Sequence, residues 1–77
     1  MGKGSTLNPQ KVISEKLRKA REDAGMSQAQ VAQALGKPQW FVSRSETGTR
    51  RVDIVELIQF GKAYNKSLNY FLQEFLE

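Results

Sequence analysis

Gln28–Thr47, QAQVAQALGKPQWFVSRSET, decides how the chain folds. It reads as two short helices joined by a tight turn. Ser27 caps the first of them, and Gln30, three residues on, can return a bond to the cap's own N–H, the pattern of a capping box. Gly36 ends that helix, because the residue past a helix end often takes positive φ, which glycine adopts without a Cβ penalty. Pro38 cannot continue the old helix but suits the first turn of a new one. A helix-turn-helix results. Ala32 and Gly36 stand where two crossing helices approach closely, with Val31, Leu35 and Val42 as apolar contacts behind them. Gln39, Trp40, Ser43 and Arg44 are left for the outer face.

Outward from this stretch, the chain reads as helical throughout. Residues 1–7 are a Gly/Ser/Lys-rich tail expected to be flexible, and residues 8–77 a single domain. Asn8 caps a first helix with Pro9 at its first position, Leu7 is spaced to staple onto Val12, and the helix is expected to run to about Ala24. Its core stripe is Ile13, Leu17, Ala20 and Ala24. Asp53 and Glu56 form a second capping box, opening a fourth helix through about Tyr64, in which Gly61 implies a close helix contact. Asn65 is the left-handed exit, and Ser67 caps a fifth helix over about 67–76. No strand pattern or repeat intervenes, so the expected fold is an all-α, five-helix orthogonal bundle.

Composition narrows the function. At 77 residues the chain supports one small core. It has no cysteine and no histidine, which removes disulfides, thiolate and imidazole metal sites and the usual near-neutral acid–base catalyst. Without paired carboxylates at a cleft spacing, only unactivated Ser, Lys or Tyr chemistry remains, so an enzyme is a poor reading. No cofactor, metal or small-molecule ligand is expected. The sequence has no run of about twenty apolar residues and no hydrophobic leader, so no membrane partner is expected and the cytoplasm is the expected location. Residues 1–51 hold ten Lys/Arg against four Asp/Glu, and residues 52–77 two against four. A positive half containing the helix-turn-helix suits a polyanion, although taken alone it also describes a solvated surface.

With those positions placed, LRKAREDAGMSQAQVAQALG (17–36), FVSRSETG (41–48) and RRVDIVELIQFGKAYNKSLNYFL (50–72) resemble the lambda-repressor-like helix-turn-helix family, the Xre or Cro type of phage and bacterial regulators. The resemblance spans about residues 11–73. It implies a transcriptional regulator, a repressor by expectation, that reads double-stranded DNA in the major groove. Position by position, Gln39, Trp40, Ser43 and Arg44 match base readers, Gln28 a phosphate contact at a helix start, and Thr49, Arg50 and Arg51 a backbone-contacting loop. Lys37, in the turn, joins the phosphate set. Arg21 and Glu46 match a structural ion pair. Two positions depart from the family: Ser45 stands where an apolar residue is usual, leaving a space for Phe41 or the fourth helix to fill, and bulky Trp40 replaces a small or polar reader.

Each assignment has a plainer alternative. Arg44 forks to guanine, contacts phosphate or is simply solvated, and Gln39 pairs with adenine or merely starts its helix. Ser43 reaches a base, a phosphate or water. Trp40 meets a thymine methyl, meets the sugar-phosphate backbone or lies on its own protein. In the fifth helix Leu68 and Leu72 belong to the core. Phe71, Phe75 and Leu76 either complete it or form a two-fold interface, the latter giving a homodimer on a palindromic operator with half-sites about 34 Å apart. The alternative to a DNA regulator is an antitoxin-like or accessory module whose main partner is another protein.

Overall fold

A computed structural model of the chain describes residues 8–76. Leu7, the tail before it and Glu77 lie outside that range, so the Leu7–Val12 staple does as well. Five helices follow one another: α1 (Pro9–Asp23), α2 (Gln28–Leu35), α3 (Gln39–Thr47), α4 (Ile54–Tyr64) and α5 (Leu68–Leu76). There is no strand among the described residues.

The helix boundaries follow the local chemistry. The Asn8 side chain accepts from the Lys11 N–H at 3.2 Å, with Pro9 in the first turn. Both capping boxes close: Ser27 with Gln30 at 3.1 and 2.8 Å, and Asp53 with Glu56 at 2.8 and 3.1 Å. Gly36 ends α2 at φ 67° and Asn65 ends α4 at φ 60°, both left-handed. Pro38 stands one position before α3 as its N-cap in extended conformation, so Gln39 opens the helix.

α3 packs mainly on α1 and α2, and α4 and α5 close the other side. Leu17, Ala20, Val31, Val42, Phe60 and Phe71 are at the centre. Phe60 lies between Phe41 and Tyr64, with ring centroids 5.8 and 6.0 Å away, an aromatic column from α3 into α4. The α1 stripe is shorter than its spacing suggested. Ala24 is exposed, being the C-cap beyond the last turn, whereas Ser14 is buried with its hydroxyl donating to the Gln10 carbonyl at 2.8 Å. Polar Ser14 is tolerated there because an intrahelical carbonyl satisfies it.

Gly61 has a close approach, but to a turn. A Cβ on it would lie 2.6 Å from the Lys66 carbonyl oxygen and 3.5 Å from the Phe71 ring, and the Lys66 N–H donates to the Gly61 carbonyl at 2.8 Å. The α4–α5 turn folds back over the glycine and seats Phe71 in the core. On the far side, Lys16 of α1 reaches Glu74 at 3.0 Å and donates to the Tyr70 carbonyl at 3.0 Å, fastening α5 to α1.

Candidate nucleic-acid interface

α3 has one face in the core and one outside. Phe41, Val42, Ser45 and Glu46 are buried. Gln39, Trp40 and Arg44 are exposed and Ser43 is half-buried, so the four candidate base readers share the outer side. The Arg44 guanidinium carbon lies 5.2 Å from the centre of the Trp40 ring, an i,i+4 cation–π contact.

The inner face is held by charge. Arg21 grips Glu46 through Nε at 2.6 Å and Nη2 at 3.1 Å, while its Nη1 donates to the Met26 carbonyl at 2.9 Å. Planar two-pronged pairing of this kind fixes direction as well as distance. The carboxylate raises the Arg21 pKa above its ordinary value, burial opposing. Glu46 also accepts from Gln28 Nε2 at 3.1 Å, so one carboxylate joins α1, the start of α2 and α3. The Tyr64 hydroxyl is buried with no hydrogen-bond partner among the described residues, and burial pushes its pKa up.

The proposed phosphate contacts divide. Gln28 turns one amide N–H inward to Glu46, which leaves the second N–H of that amide as its side-chain donor, and the Gln30 N–H at the start of α2 is taken by the Ser27 hydroxyl. Lys37 is exposed, with Nζ 5.3 Å from the Phe41 ring centre. Thr49 and Arg51 are exposed, and the Thr49 hydroxyl shares a 3.1 Å bond with that of Thr47.

Arg50, also expected at a phosphate, differs in being engaged within the protein. Its guanidinium donates to Glu56 through Nη1 and Nη2, both at 3.0 Å, and to the Ser45 hydroxyl at 3.2 Å. It lies over the Phe41 ring at 4.2 Å. Ser45, fully buried, donates in turn to the Phe41 carbonyl at 2.7 Å. The space left by the missing apolar side chain is therefore polar and filled by an arginine head, which needs a partner wherever water is excluded. Glu56 does double duty, capping α4 and pairing with Arg50, which lowers its pKa, burial opposing. Sequence spacing missed this network. The signals were the polar Ser45 in a buried stripe and an arginine six residues before a capping-box glutamate.

Phe71 is corrected as an interface residue, because it is fully buried. Phe75 is half-buried and Leu76 is 64 % exposed. The exposed apolar surface missed from sequence is on α4, where Ile54, Val55 and Ile58 are 52, 59 and 41 % exposed. Among the described residues no cluster of His, Cys, Asp or Glu is placed to hold a metal ion, and no helix is long and apolar enough to cross a membrane.

The arrangement defines a helix-turn-helix domain in which α3 turns Gln39, Trp40 and Arg44 outward and is tied to α1 and α2 through Glu46. The helix-turn-helix family model matches residues 17–71, and the chain belongs to that family, in its Xre or lambda-repressor-like branch. Its fold is similar to two solved structures, each at 24 % identity. The restriction-modification controller protein C.AhdI from Aeromonas hydrophila superposes with a TM-score of 0.75, covering 80 % of this chain and 94 % of that one. The clp gene regulator ClgR from C. glutamicum gives a TM-score of 0.82, covering 88 % of each chain. No curated protein sequence matches the chain.

Proposed function

We propose that the chain is a sequence-specific, double-stranded DNA-binding transcriptional regulator that acts as a repressor by occupying its operator. Membership of the helix-turn-helix family supports DNA binding, and both structural relatives carry regulatory names. The observation that carries the reading is the division of α3: Gln39, Trp40 and Arg44 exposed on one side, and Glu46 tied to α1 and α2 on the other. A helix so held presents side chains to a major groove without paying to order itself on binding. Gln39, Trp40, Ser43 and Arg44 read bases, and Gln28, Lys37, Thr49 and Arg51 meet the backbone. The working location is the cytoplasm.

The proposed assembly is a homodimer on a palindromic operator, since paired half-sites require two reading helices. With Phe71 in the core, the apolar surface for it is Ile54, Val55 and Ile58 of α4 with Phe75 and Leu76 of α5. Sedimentation at tens of micromolar tests this, and a concentration-independent 8.7 kDa species rejects the dimer. The same exposed α4 residues favour, as a second reading, an accessory module that holds another protein.

Salt separates the two readings. Titration against random-sequence duplex is expected to show binding at about 50 mM salt that weakens about tenfold by 200 mM for one protomer, whose charged backbone contacts are Lys37 and Arg51, and on the order of a hundredfold for a dimer. No binding at the lower salt rejects the DNA reading, because an apolar protein interface carries no such slope.

A further inference from the structure

Among the described residues the exposed large hydrophobic side chains are Trp40, Ile54, Val55, Ile58 and Leu76, and of these Trp40 alone stands on α3. It is 53 % exposed yet braced. Its ring meets Phe41 edge-on at 6.4 Å and 63°, and Phe41 is itself clamped between Phe60 and the Arg50 guanidinium. Arg44, one turn further on, lies over the outer part of this shelf at 5.2 Å. An indole on an open reading face would ordinarily be a liability in water, and here it organises the one exposed guanidinium of the reading helix.

Groove geometry gives that shelf a chemical consequence. An arginine that forks to guanine O6 and N7 lies in the plane of the base. A ring against the guanidinium face then occupies the level of the neighbouring base pair, about 3.4 Å away along the duplex. The groups met at that level differ in their tolerance of an indole. At C5, thymine and 5-methylcytosine carry a methyl group where uracil and cytosine carry only hydrogen. Burying that methyl group against the indole carbons is favourable, and the unmethylated bases gain nothing there.

We propose that Trp40 is a specificity-determining residue: it fixes Arg44 for guanine and selects a 5-methylpyrimidine, thymine or 5-methylcytosine, in the adjacent base pair. Binding is thereby sensitive to cytosine methylation at that step. The proposal rests on the DNA-binding reading and deepens it.

The test begins with duplexes selected by the full chain from a randomised pool, then varies the pyrimidine beside the enriched guanine as thymine, uracil, cytosine or 5-methylcytosine. Thymine and 5-methylcytosine are expected to bind about fourfold more tightly than uracil and cytosine, the value of one buried methyl group. Trp40→Ala brings the four within about twofold of one another and weakens the preference for guanine without abolishing it, and Arg44→Ala loses guanine. The chain has a single tryptophan, so its emission reports the contact directly, and a thymine duplex is expected to quench it more than its uracil twin. Equal binding of thymine and uracil duplexes by the wild-type chain, with guanine still enriched, overturns the proposal and leaves the DNA reading standing. Failure to bind any duplex at about 50 mM salt overturns the DNA reading itself.

Discussion

Arg21–Glu46 and Arg50–Glu56 both use a two-pronged arginine–carboxylate pair, yet one joins three helices and the other joins a loop to a helix start. The Arg21 and Glu46 side chains are 14 and 2 % exposed, against 25 and 18 % for Arg50 and Glu56. Burial sets what each pair is worth when broken. A carboxylate closed off from water cannot be rehydrated in place, whereas a half-open one is partly rescued by solvent. The first pair therefore acts as a structural hub, fixing the angle at which α3 is shown. The second acts as a latch, drawing the loop after α3 against Phe41 and leaving Arg51 outside.

The hub should give the largest loss. Glu46→Ala is expected to destabilise the fold by about 3 kcal/mol, since it strands Arg21 and frees the Gln28 amide. Urea denaturation at neutral pH measures this, and a loss below about 0.5 kcal/mol would rank the hub with ordinary surface bridges. Arg50→Ala comes next, at about 1–2 kcal/mol in the same assay, because Ser45 keeps its bond to the Phe41 carbonyl while Glu56 turns to water. A loss matching that of Glu46→Ala would erase the distinction between the two pairs. Ser45→Ala should lose about 1 kcal/mol, the worth of the hydroxyl's bonds. A stabilised Ser45→Ala variant would mean that the buried hydroxyl is merely tolerated.

The latch also has a signature in pH. Arg50 holds the Glu56 pKa below the ordinary glutamate value of about 4.3. A lowered folded-state value stabilises above the unfolded value, and that stability is lost as pH falls through the folded one. The gap in stability between wild type and Glu56→Gln should therefore be constant near neutrality and shrink below about pH 4.3. A gap unchanged down to pH 3 would remove the charge from the account of the latch.

Much of the fold was legible because its punctuation is local. Ser27–Gln30 and Asp53–Glu56 announce helix starts within four residues, and Gly36 and Asn65 announce stops by their tolerance of positive φ. The five helices and the family follow from such signals and their spacing. Side-chain destinations were less legible. The α5 stripe contains Leu68, Phe71, Leu72, Phe75 and Leu76, and periodicity does not say which of them the α4–α5 turn will press inward. The closeness of the Lys66 carbonyl to Gly61 selects Phe71. Arg50 and Arg51 are neighbours of the same type, and only the path of the loop sends one to Ser45 and Glu56 and the other outward.

If α3 chooses sequence while the loop beyond it supplies affinity, parallel site selection with wild type, Arg44→Ala and Arg51→Ala separates the two roles. Arg44→Ala is predicted to relax a single base position, with a loss of about 1–3 kcal/mol at that base. Arg51→Ala is predicted to keep the whole motif, weaken all sequences alike and lower the salt slope by about one. If the two variants alter the motif in the same way, or if the wild-type chain enriches no motif at all, α3 and the loop do not divide the work in this way.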